Sequence, residues 1–307
     1  MCGTTEGVAE SPRTTVSATR HPRGVIGSGT VEMDDGRRGR LPPAVRPLFD
    51  DGGGGRTLAV ELPDGAVVFP DPTYARFPAR KRPAFWLSEG PVSGELWARL
   101  RAEHPNSGLW PVLLEDSVQP WSVGQIAPDA ATEIDNFHVD AFMEEVWSDW
   151  VERASADQLE ILDPFGPVCP EPAAPAEPRY DPGELADHYA ATLAERGAPL
   201  GLAAVQRGAD ALAVMGWQGA LHHNEWNVPL AAVVRSWEDR FAARLVGMGF
   251  NTLELSVAAP PRTPRHALDV AAEHWTFCPD AILQGAGTLL DYAEQIVGRH
   301  TWSFWWD

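Results

Sequence analysis

The chain has 307 residues, 44% hydrophobic and 22% charged, which is enough apolar material for two cores and excludes disorder throughout. Its 43 acidic residues against 24 basic ones give a formal net charge of −19, which argues against nucleic acid and anionic membrane and favours a basic partner. Three cysteines without a CxxC pair, no apolar run of ~18 residues and no apolar leader exclude a disulfide framework and a membrane span, so a cytoplasmic protein without a structural metal is expected.

Residues 1–40 are rich in Gly, Thr, Ser and Arg without hydrophobic periodicity and are expected to form a disordered arm. An N-terminal α+β domain is expected over 41–163. The Gly52–Gly55 run leads into a strand-like stretch, which makes it a linker and not a phosphate loop. Thr57–Leu62 and Ala66–Phe69 flank Pro63-Asp64-Gly65 in the pattern of a β-hairpin. Ala84–Glu89 reads as a strand, Ser93 as the N-cap of a helix bearing Leu96, Trp97 and Leu100, and Leu109–Glu115 as the next strand. Val139, Phe142, Met143, Val146, Trp147 and Trp150 mark an amphipathic helix with Asp140, Glu144, Glu145, Asp149 and Glu152 opposite. Between Asp129 and Asp163 there are eleven acidic residues and one arginine, a solvated face that could also dock a basic partner.

Seven prolines from Pro164 to Pro182 predict an extended linker over 164–182. A second α+β domain is expected over 183–307. Asp181-Pro182-Gly183-Glu184 caps a helix to about Arg196, Leu200–Gln206 is strand-like, and Asn227-Val228-Pro229 opens a helix through Phe241. Strands at Leu245–Gly249 and Thr252–Val257 flank Phe250-Asn251; helices follow Thr263 and Thr288; Trp302–Asp307 closes the chain as an aromatic strand. The order predicts a mixed or antiparallel sheet with helices packed on one face.

Three groups of side chains could carry chemistry. Cys278 as nucleophile, His274 as base and Asp280 as orienter would make a thiolate site. His266, Asp269 and Glu273 share a helix face at a spacing that could hold a metal, with His222, His223 and Glu225 in a preceding loop. Glu238, Arg240, Gln284 and Asp307 beside Trp237, Trp302 and Trp305 form a polar network that either satisfies buried indoles or lines a ligand pocket. Free cysteine is more often a small buried hydrophobe and isolated histidines more often surface or capping groups, so neither a catalytic thiol nor a metal is the leading reading, and no cofactor is expected.

Ser236–Phe241 (SWEDRF), Ala243–Pro261, His266–Asp280, Gln284-Gly285 and the terminal WSFWWD together resemble the bacterial domain of unknown function family 4253, with Gly216–Ala220 (GWQGA) as a looser extension. The resemblance covers about the last hundred residues and implies an intracellular α+β domain. It supplies no activity, ligand or catalytic residues. The leading expectation is a non-enzymatic binding protein for a basic partner, with an immunity-like protein that neutralises a basic toxin as one concrete version. The alternative is a small-molecule enzyme or ligand-binding domain centred on Cys278, His274 and Asp280.

Overall fold

Alternation of apolar side chains sorts the strands of this protein into two-faced ribbons, and the helices cover both faces. The computed structural model describes residues 39–73, 82–115, 120–224 and 226–307. In chain order these hold β1 (Gly65–Val68), β2 (Phe85–Pro91), α1 (Gly94–Ser107), β3 (Leu109–Leu114), α2 (Ala131–Ile134), α3 (Val139–Arg153) and α4 (Ala156–Leu159). After the prolines come α5 (Pro182–Ala194), β4 (Pro199–Ala204), α6 (Ala211–Val214), α7 (Asn227–Phe241), β5 (Ala243–Met248), β6 (Thr252–Val257), α8 (Pro264–Phe277), α9 (Leu289–Ile296) and β7 (Thr301–Trp305). The expected arm falls almost wholly outside the described residues.

The strands form one sheet in the order β1-β2-β4-β3-β5-β6-β7, parallel between β3 and β5 and antiparallel elsewhere. This is the expected α+β class with a mixed sheet. Along β3, Trp110, Val112 and Leu114 enter one apolar cluster with α7 and α8, while Leu109 and Leu113 enter the other with α1 and α5. Helices therefore lie over both faces instead of one. A division into two domains at 164–182 is not established: β4, from beyond the prolines, sits between β2 and β3, and Arg37–Asp307 forms one compact unit.

Local signals account for most element starts. The Ser93, Asp181, Thr263 and Thr288 side chains each accept the backbone N–H three residues on, as N-caps do. The stretch Thr57–Leu62 departs from the expected hairpin: β1 pairs with β2, while Leu58 and Val60 pack as irregular chain in the second cluster. The proline-rich segment is extended but docked. Lacking N–H groups at its prolines, it offers carbonyls: Ala173 O accepts from Arg240, Ala174 O meets the His266 ring, and Glu177 O accepts from Arg262.

β7 pairs with β6 from Thr252↔Trp305 to Ser256↔Thr301 and buries Trp302 and Phe304. Each buried aromatic is worth about 3–5 kcal/mol on truncation, and Trp302, Phe304 and Trp306 together approach the ~5–15 kcal/mol stability of a whole domain. Deletion of Trp302–Asp307 should abolish the cooperative thermal transition followed by circular dichroism; an unchanged melting temperature would show that the strand seals nothing.

Candidate functional site

Placement on adjacent turns does not bring Cys278, His274 and Asp280 into a relay. α8 runs on to Phe277, so His274 lies inside the helix and fully within the core. Its Nδ1 meets the Tyr292 hydroxyl at 3.1 Å, its Nε2 has no hydrogen-bond partner among the described residues, and the ring is boxed by those of Trp237, Trp302 and Phe304. Burial, and then the Arg240 charge, push the His274 imidazole down to about 3, so it is neutral and no base near pH 7. The Cys278 thiol donates to the Trp305 carbonyl at 3.0 Å, and burial pushes it up to about 12. A buried thiol held protonated is not a nucleophile.

The proposed metal face is divided among three partners. Glu273 is clamped by Arg240, with the guanidinium on both carboxylate oxygens at 2.6 and 2.7 Å, and also accepts from the Trp237 indole and the Ala173 N–H. Asp269 pairs with Arg265 at 3.1 Å, and the His266 ring turns to the Ala174 carbonyl. Glu225 lies outside the described residues, and among those described no group of three or more His, Cys, Asp or Glu side chains could hold a metal ion.

The polar network separates into distinct groups. Arg240 and Trp237 belong to the Glu273 clamp, whereas Glu238 faces the other way and accepts from Arg207 and the Ala209 N–H. Trp302 is sealed, its indole nitrogen without a partner among the described residues, and Trp305 contributes the carbonyl used by Cys278. Gln284 and Asp307 do meet at Asp280. That carboxylate, only 4% exposed, accepts from the Gln284 amide at 3.1 Å and the Asp307 backbone N–H at 3.0 Å, and the His223 ring approaches to 2.8 Å.

Asp307, held by this carboxylate through its N–H, lines an open cleft of about 390 Å³. The parallel β3–β5 pairing sets Leu114 beside Met248, so the chain following β3 and the β5–β6 turn leave the sheet at the same end. The antiparallel β6–β7 pairing returns Trp306 and Asp307 there as well. Trp121, Phe250 and Trp306 supply aromatic walls, with Gln125, Gln218, His222, Asn251 and Asp307 among them. Asn251 fixes the turn by donating to the Trp306 carbonyl and receiving the Trp306 N–H at its own carbonyl. The Trp217 indole donates to the Gly249 carbonyl at 2.9 Å, and a Cβ on Gly219 would meet that ring at 2.0 Å. The side chains of Gln125, Gln218, His222 and Asp307 make no hydrogen bond to another described residue, and Phe250 and Leu221 are 56% and 43% exposed at the rim.

A larger groove, about 750 Å³, lies beside the end of β4 and holds Arg56, Arg82 and Arg235. Each arginine already meets an aspartate: Asp51, Asp50, and Asp135 together with Asp210. It is the more polar and internally neutralised of the two. Sequence reading named Asp307 and Asp280 but missed Trp121, Gln125 and Gln218 as partners; the GWQGA and Phe250-Asn251 motifs were the available signal, since both frame the cleft.

Residues 199–307 match the family described as Domain of unknown function (DUF4253). The match spans the cleft apart from Trp121 and Gln125. No match to the chain is found among curated proteins or among solved structures.

Two outcomes follow from the sealed groups. The His274 imidazole ordinarily titrates near 6.5 and is held to about 3 when folded, so its contribution to stability is present above pH 6.5 and is lost on acidification at about 1.4 kcal/mol per pH unit. His274→Phe should flatten the stability–pH slope between pH 6.5 and 4.5 by one proton in denaturant titrations; an unaltered slope would contradict a buried neutral imidazole. Glu273→Ala strands Arg240 and should cost about 3–5 kcal/mol, measured the same way, with a loss below ~1 kcal/mol showing that the clamp is dispensable.

Proposed function

We propose that this protein is a non-enzymatic binding protein for a basic protein partner. The observation that supports it is selective charge compensation. The enclosed carboxylates of Glu273, Asp210 and Glu238 each hold an arginine. The outer face of α3 does not: Asp140, Glu144, Glu145 and Glu152 are exposed without an ion pair to a described residue, and Asp149 meets only Arg153 at 3.4 Å. Asp307, at the cleft, also lacks an arginine among the described residues. In a chain with a formal net charge of −19, this leaves negative potential directed outward, which accelerates encounter with a cationic surface. Neutralisation of a basic toxin is one role of this kind. The thiol-enzyme alternative loses its chemical basis, because the sulfur and imidazole are sealed apart and held in their unreactive forms.

A nonaarginine peptide serves as the probe, with immobilised full-length protein and interferometric detection at ~0.05 and ~0.3 M salt. Capture should weaken at least about tenfold at the higher salt. The variant Asp140→Asn/Glu144→Gln/Glu145→Gln/Glu152→Gln should slow association more than the variant Glu171→Gln/Glu177→Gln/Glu195→Gln/Glu294→Gln, which removes the same charge elsewhere. Salt-independent capture, no capture, or equal slowing by both variants would sink the reading.

A further inference from the structure

We infer that the cleft between Trp121, Phe250 and Trp306 is the seat for one arginine side chain of the basic partner; this rests on the binding role just proposed and specifies its contact. A guanidinium is a planar cation with five N–H donors, and it binds best where an aromatic face, a carboxylate and neutral acceptors meet. The cleft assembles those three elements. Phe250, 56% exposed at the rim, provides a ring on which a guanidinium stacks with cation–π attraction, and the buried Trp121 and Trp306 line the cleft beneath it. Asp307 provides a carboxylate with no hydrogen bond from another described side chain, and Gln125 and Gln218 provide side-chain carbonyls that are likewise uncommitted.

Charge separates a cation from a neutral planar ligand. Asp280 accepts the Asp307 N–H and is enclosed, with the Gln284 amide, that backbone N–H and the His223 ring as its partners among the described residues. Elsewhere in the fold Glu273, Asp210 and Glu238 are matched internally by arginines. The cleft carboxylate, Asp307, has no arginine among the described residues, and here the guanidinium comes from outside. At about 390 Å³ the cleft lies at the small end of the ~300–1,000 Å³ range of ligand sites, which suits a single side chain entering from a protein surface better than an extended ligand. The exposed Phe250 and Leu221 at its rim give the partner's neighbouring residues an apolar landing surface.

The test uses the full chain and the capped pentapeptide acetyl-Gly-Gly-Arg-Gly-Gly-amide, with tryptophan fluorescence and calorimetry as readouts. The arginine peptide should saturate. Its citrulline counterpart, which keeps the shape but loses the charge, should bind at least about tenfold more weakly. Phe250→Ala and Asp307→Asn, both at exposed positions, should each weaken the arginine peptide several-fold while leaving the melting temperature in place. The four-residue α3 variant should leave pentapeptide affinity within about twofold, so the seat and the wider basic-partner reading fail separately. Equal binding of the citrulline or lysine peptide would overturn a guanidinium seat, as would the absence of saturation at ~10 mM. Argininamide alone binding as tightly as the pentapeptide would overturn a protein-borne ligand and assign a small cation instead.

Discussion

The Trp237 indole ties the helical layer to the sheet edge, and much of the structure depends on it. Its N–H donates to Glu273 at 2.8 Å, its ring stacks on Phe304 at a 14° interplanar angle, and Trp302, His274 and Phe277 meet it edge-on. One side chain of α7 therefore fixes the positions of α8 and β7 together. Glu273 extends this grip through the Arg240 clamp to the Ala173 N–H and carbonyl, which holds the proline-rich strap against the same helices. A buried ion pair contributes modest net stability because desolvation offsets its attraction. Its directional hydrogen bonds nevertheless admit one arrangement of three segments that the rings alone would pack less uniquely.

The same packing holds neighbouring residues with reactive side chains in their uncharged forms. His274 and Cys278 face the ring cluster and the end of β7, where low polarity keeps both uncharged. Asp280, two residues after Cys278, emerges at the start of a π-helical turn over Ala281–Ala286 that returns Gln284 to its carboxylate. The cleft itself owes its position to strand order: only because β3 runs parallel to β5 does the chain after β3 arrive beside the Phe250 turn and the end of β7.

Much of the framework was legible because its signals are local. Thr263-Pro264 and Thr288 mark their helix starts by side-chain capping, Thr252–Val257 has the burial of an inner strand, and the α3 stripe follows from i, i+3, i+4 spacing. The hairpin expected at Thr57–Phe69 was not, since a turn signal cannot show that Gly65–Val68 has a better partner in β2. The same limitation applied to the sheet. Prolines at 164–182 look like a boundary in one dimension, yet the insertion of β4 between β2 and β3 is a nonlocal fact with no signature at either strand.

The site was legible in its residues and not in its grouping. Asp307, Asp280 and Gln284 were recognisable as polar groups among tryptophans, but their separation from Arg240 and Glu238 depends on which side of α7 each faces. Arg240 turns to Glu273 and Glu238 to Arg207, so both charges are matched within the fold. Asp280 meets the Gln284 amide, the Asp307 N–H and the His223 ring instead of an arginine. Since desolvated charge must be paired to be tolerated, Glu273 and Asp210 are held by arginine, Glu254 by the Tyr189 and Ser303 hydroxyls, and Asp280 by an amide, a backbone N–H and the His223 ring. The exposed Asp307 differs from all of these, since its carboxylate faces the cleft beside Phe250 without a hydrogen bond to another described side chain.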